Sequence, residues 1–213
     1  MVPPSTFIPL AEETGSIVSI GDWVLRQACG EAATWHRDGH GDLTISVNLS
    51  PQQVHHVDLR RLVCEVVSET RLQADRLQVE ITEGIAMQDA ARMVELFAGL
   101  GSLGVRVAID DFGTGYSSLA YLKRFAVHTL KLDRAFVKDL DTDPEGGTVA
   151  RAIVSLAAAL EIDVVAEGVE TIGQRDRLIE HGCVQAQGFL FSPAVPAAGF
   201  RELLALPDLM PVA

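Results

Sequence analysis

Two adjacent aspartates, Asp110 and Asp111, close the apolar run VRVAI, and the glycine-spaced stretch FGTGYSSL follows at once. Neighbouring carboxylates repel and raise one another's pKa, so such a pair is costly unless a cation shares it. Other groups that could meet that cation recur along the chain: Asn48 in SVNLS, Glu80 and Glu83 in VEITE, Lys131 in LKLD, Glu167 and Glu170 in AEGVE, and Gln187 in QGF. Carboxylates and an asparagine are hard oxygen donors, a set that suits Mg2+ or Mn2+, whereas zinc favours His and Cys. None of the six histidines falls in a metal-ligand spacing. Adjacent aspartates can serve two ions, with one carboxylate bridging. Paired ions of this kind clamp the attacking and leaving oxygens of a phosphoryl transfer.

Taken singly, most of these residues have a plainer role. Asn48 suits a turn, Glu83 a helix cap, Asp133 the start of RAFVKDL, Gln187-Gly188 a turn, and the aspartate pair an N-cap. Lys131 inside an apolar strand resists that treatment, because lysines are rarely buried without a partner. Functional groups at six successive strand ends favour one shared site.

The elements that would position them follow from apolar periodicity. Strands are expected at Leu43–Asn48, Leu77–Thr82, Val105–Ile109, Thr129–Leu132, Asp163–Ala166 and Val184–Gly188. Helical stripes fall between them: Asp58–Thr70, Asp89–Leu103, Glu145–Leu160 and Ile172–Glu180. Ser50 before Pro51 reads as an N-cap with proline at the first helical position. Strands alternating with helices imply an α/β fold with a parallel sheet and right-handed crossovers. Six strands each ending in an amide, carboxylate or ammonium favour a TIM-like (βα) barrel, whose active face gathers side chains from many strands. A doubly wound sheet would concentrate them at one switch point.

Composition narrows the function classes. The chain has 213 residues, 48% of them hydrophobic, with 17 Lys+Arg against 29 Asp+Glu and a formal charge of -12. That suits a single α/β domain over 1–213 with a tail from about 205, and disfavours binding to nucleic acid polymers or anionic membranes. Cys29, Cys64 and Cys183 have no paired spacing and read as reduced thiols. No signal peptide or bilayer-length apolar segment is present, which leads to the expectation of a cytoplasmic chain.

The motifs SVNLS, VEITE, DDFGTGYSSL, LKLDRAFV, VVAEGVET and QGF together resemble the EAL-domain family of cyclic di-GMP phosphodiesterases. The resemblance runs from Phe7 to about Phe191. It implies a modified eight-stranded βα barrel that opens cyclic di-GMP to a linear dinucleotide with two divalent ions, Mg2+ or Mn2+, in bacterial second-messenger signalling. By motif, Asn48, Glu80 and Asp110 would hold one ion, and Asp110 would bridge to a second held by Asp111 and Glu167. Lys131 would position or deprotonate the attacking water, and Gln187 would support the second site. Phe112, Gly113, Thr114, Gly115 and Ser117 fall in the family's mobile loop, with Glu83 as its anchor and Glu170 in the same supporting shell. The resemblance also implies cyclic di-GMP as ligand, with a homodimer and an upstream regulatory or cyclase domain as partners.

One departure stands out. The family's Glu-Ala-Leu triplet, whose glutamate also binds the first ion, is absent, and Glu31-Ala32-Ala33 lies in a helical stretch. About six of the eight βα units are readable, so the sequence resembles a domain that lacks its first strands, as a fragment or a late start would. The alternative to a phosphodiesterase is a catalytically impaired cyclic di-GMP-binding or interaction module. An enolase-type barrel with Lys131 as base ranks last, because it leaves the Asp-Asp pair unexplained.

Overall fold

The computed structural model of the chain describes residues 2–115, 119–141 and 147–205. In chain order, α1 spans Pro4–Glu13, α2 Ile17–Arg37, β1 Ile45–Asn48, α3 Pro51–His56, α4 Leu59–Thr70, β2 Leu77–Thr82, α5 Glu83–Gln88, α6 Ala90–Gly101 and β3 Arg106–Phe112. There follow α7 (Leu119–Leu122), β4 (Thr129–Leu132), α8 (Gly147–Ala159), β5 (Asp163–Ala166), α9 (Ile172–Glu180), β6 (Gln185–Ala186) and α10 (Ala197–Leu204). The chain forms two compact units, Met1–Ile81 with Gln88–Val107, and Thr82–Met87 with Ala108–Ala213.

In the first unit β1 and β2 pair in parallel, with Ile45 opposite Leu77 and Asn48 opposite Glu80. A parallel pair needs a crossover, and α3 and α4 provide it. Ser50 starts α3 with a reciprocal cap: its hydroxyl accepts the Gln53 N–H, and Gln53 Oε1 accepts the Ser50 N–H at 3.1 Å. Pro51 fills the first helical position, where a missing N–H costs nothing. Asp58 caps α4 with a single bond, its side chain accepting the Arg61 N–H at 3.1 Å. Helix α4 packs against α2, and Leu25, Cys29, Val63 and Val66 of the two helices are buried.

In the second unit the parallel strands follow one another in sequence order, β3-β4-β5-β6. All four residues of β4 are buried, as expected of a strand in a parallel sheet covered on both faces. Helix α8 packs on β4 and β5. Helix α9 begins at a second reciprocal cap, between Thr171 and Gln174.

Three strands and α9 have the bounds expected from sequence. The strand expected at Val105–Ile109 instead runs through both aspartates to Phe112, because an irregularity carries the pairing past them. The last strand shrinks from Val184–Gly188 to Gln185–Ala186, and the first starts at Ile45. Residues 145–146 of the expected third helix, and the tail beyond 205, lie outside the described residues. Among those described, no helix is long and apolar enough to cross a membrane.

Candidate metal and phosphodiester site

The register between β3 and β4 explains how two consecutive aspartates reach one place. Ile109 faces Leu130 and Phe112 faces Leu132, so β3 spends three residues where β4 spends two. The extra residue is a bulge, and Asp111 within it has φ of 55°. In a regular strand Asp110 and Asp111 would point to opposite faces. Here one carboxylate oxygen each from Asp110, Asp111 and Glu167 lies within 4.8 Å of the others. A left-handed backbone at an aspartate is strained, and such strain concentrates at functional sites.

Lys131 lies beside this cluster. It is 5% exposed on β4, and its Nζ is 3.1 Å from Asp110 Oδ1 and 2.6 Å from Glu167 Oε1. Glu167 follows β5, its own N–H donating to Leu132 O at 3.0 Å. Gln187 donates from Nε2 to Glu167 Oε1 at 2.7 Å, and its backbone N–H donates to Ala166 O. The Asp111 N–H donates to Asp110 Oδ1 at 3.1 Å. Burial pushes the Asp111 carboxyl above the usual range, and the neighbouring Asp110 and Asp133 carboxylates add to that, while Lys131 pulls the other way. An acid so disfavoured as an anion gains from a bound cation.

The turn after β3 hangs on Glu83. This buried residue opens α5, and its Oε2 accepts the N–H of Gly113 at 2.8 Å and of Gly115 at 3.3 Å. Thr114 donates its hydroxyl to Asp111 O at 2.8 Å. Phe112, expected in the loop, is instead the buried last residue of β3. Ser117 lies outside the described residues. Glu170 is exposed, and among the described residues its carboxylate makes no ion pair or hydrogen bond; its N–H donates to Gln174 Oε1. In the first unit, the exposed Asn48 and the buried Glu80 are register partners at the carboxyl ends of β1 and β2.

Asp133 is the residue that sequence reasoning undervalued. It caps the 3-10 turn Arg134–Phe136, with Oδ1 accepting the Ala135 N–H at 2.8 Å, and its carboxylate helps to raise the pKa of Asp111. Its spacing from Lys131, two residues along the strand direction, carried that signal.

With this geometry in hand, comparison with known proteins places the chain. The EAL domain family model matches residues 1–194, and the chain belongs to that family. It is similar to the bifunctional diguanylate cyclase/cyclic di-GMP phosphodiesterase MucR of Pseudomonas aeruginosa, at 44% identity over 205 residues, covering 96% of this chain and 30% of MucR. The cyclic di-GMP phosphodiesterase NbdA of the same organism is 40% identical over 204 residues, covering 96% of this chain and 26% of NbdA. Among solved structures, the PaMucR phosphodiesterase in complex with c-di-GMP superposes with a TM-score of 0.89 at 44% identity, covering 93% of this chain and 81% of that one. The α/β fold of TIM-like (βα) units expected from sequence is thereby borne out. The chain spans about a quarter to a third of the length of the curated relatives it matches.

Proposed function

We propose that this chain carries a metal-dependent cyclic di-GMP phosphodiesterase site, hydrolysing the cyclic dinucleotide to its linear form. The observation that carries the reading is the buried Lys131 held between Asp110 and Glu167, beside a bulge that gathers Asp111 into the same cluster. An all-oxygen donor set fits a hard divalent cation, Mg2+ or Mn2+. Asp110, Asp111 and Glu167 would hold one such ion. Bound there, the ion would supply charge neutralisation at the phosphate and acidify water.

The remaining chemistry belongs to side chains. Lys131, held as an ammonium by Asp110 and Glu167, positions the water that attacks phosphorus. One P–O bond to the sugar breaks as the new one forms, and the proton given up by the water is balanced by the one taken up by the departing sugar oxygen. Gln187 fixes the Glu167 carboxylate, and Glu83 fixes the turn after Phe112. The resemblance to MucR and NbdA, both named as cyclic di-GMP phosphodiesterases, supports cyclic di-GMP as the substrate.

Incubating the chain with cyclic di-GMP and Mg2+ or Mn2+, and resolving products by chromatography, tests this reading. Metal-dependent appearance of the linear dinucleotide, lost on Lys131→Met, is the expected result. Cyclic di-GMP binding without turnover under both metals would make the chain a binding module instead.

A further inference from the structure

We infer that the Lys131 ammonium is a resident counter-cation of the carboxylate cluster: it holds Asp110 and Glu167 together before any divalent ion arrives, and it opposes the binding of that ion. The inference rests on the metal reading of the cluster given above.

Charge and donor geometry carry it. Asp110, Asp111 and Glu167 bring their oxygens within 4.8 Å, an arrangement that repels itself unless a positive charge is present. Lys131 supplies that charge, 3.1 Å from Asp110 Oδ1 and 2.6 Å from Glu167 Oε1. Because the lysine is buried, water screens its charge weakly. A divalent ion drawn in by the same carboxylates therefore settles beside a fixed positive charge, which offsets part of its attraction.

Orientation of the two carboxylates does not depend on the lysine alone. Glu167 Oε1 also receives the neutral Gln187 Nε2 at 2.7 Å, and Asp110 Oδ1 also receives the Asp111 N–H at 3.1 Å. Removing the ammonium thus removes charge while each carboxylate keeps a neutral donor. A purely orienting lysine would raise metal affinity; a counter-cation lowers it.

Calorimetric titration of Mn2+ into the wild-type chain, Lys131→Met and Lys131→Arg distinguishes the two, with thermal melting in chelator as a second readout. Lys131→Met is expected to bind Mn2+ about tenfold more tightly or better, the effect of deleting one close like charge. Lys131→Arg, which keeps the charge, should stay near wild type. In chelator Lys131→Met should melt below wild type, and Mn2+ should raise its melting temperature by more. If Lys131→Met unfolds in chelator, its refolding on Mn2+ addition supports the inference and failure to refold overturns it. Equal or weaker Mn2+ binding by a folded Lys131→Met overturns the inference but leaves the metal reading standing. No Mn2+ binding by any form, wild type included, overturns both.

Discussion

Glu83 Oε2 accepts the backbone N–H of Gly113 at 2.8 Å, and the same oxygen reaches the N–H of Gly115, so one buried carboxylate ties down the turn that follows the aspartate pair. Glu83→Gln keeps an acceptor oxygen but removes the charge and turns the other oxygen into a donor, which weakens both bonds. The expected cost is about 1–3 kcal/mol, the range for leaving buried polar groups poorly matched. Urea denaturation of the chelated protein measures it, and an unchanged midpoint would detach Glu83 from the turn.

Gly113 has φ of 98°, and a Cβ there would come 2.9 Å from Ile153 Cδ1 and from Phe136 Cε2. Gly113→Ala therefore meets both backbone strain and crowding. A loss of roughly 1–2 kcal/mol is expected from the left-handed conformation alone. Faster hydrogen exchange at the Gly115 amide, followed by mass spectrometry or NMR, would report that the Glu83 contact has loosened.

Asp110→Asn should reduce Mn2+ affinity more than Asp111→Asn. Asp110 pairs with the Lys131 ammonium at 3.1 Å, and in the bridging role that the family resemblance implies its carboxylate would serve two ions. Titration should show a drop of roughly tenfold or more for Asp110→Asn, using the scale of losses at residues around metal sites as a floor. Equal affinities in the two variants would remove the bridging role from Asp110.

Thiol chemistry should single out Cys64. Cys29 is fully buried, and burial pushes its pKa up to about 11; burial raises that of Cys183 as well. The reactive form is the thiolate, so both should remain protonated and shielded near neutral pH. Cys64 is exposed on α4. Iodoacetamide under native conditions should label Cys64 first, with the other two modified only after unfolding. Peptide mapping of the alkylated chain checks the order.

The parts of the fold legible in sequence are those where local chemistry and tertiary burial agree. Leu77–Thr82, Thr129–Leu132 and Asp163–Ala166 carry β-branched or apolar residues between polar boundaries, and their strands begin and end as expected. Ile172–Glu180 was readable because Thr171 and Gln174 cap it reciprocally. Helices α1 and α2 were not delineated: Pro9 interrupts the first, and glycines at 21 and 30 dilute the second.

The site divides along similar lines. Residue types at strand ends pointed to Asp110, Lys131, Glu167 and Gln187, and the structure joins these four through ion pairs and a hydrogen bond. The bulge at Asp111 was invisible, because two aspartates after an apolar run read as the end of a strand. Only the register against β4 reveals an inserted residue. Asp133 escaped for a related reason, since a cap and a site contact look alike in one dimension.

The slip between Ile109 and Phe112 changes what different mutations at the aspartate pair can mean. Substituting Asp111 alters a functional group but leaves the number of residues intact. Deleting it would remove the inserted residue and restore simple alternation, with Ile109 still opposite Leu130 and Phe112 still opposite Leu132. Asp111→Gly, which suits the left-handed backbone, keeps the bulge while removing the carboxylate, whereas deletion removes both. The two variants therefore separate what the bend contributes from what the charge contributes.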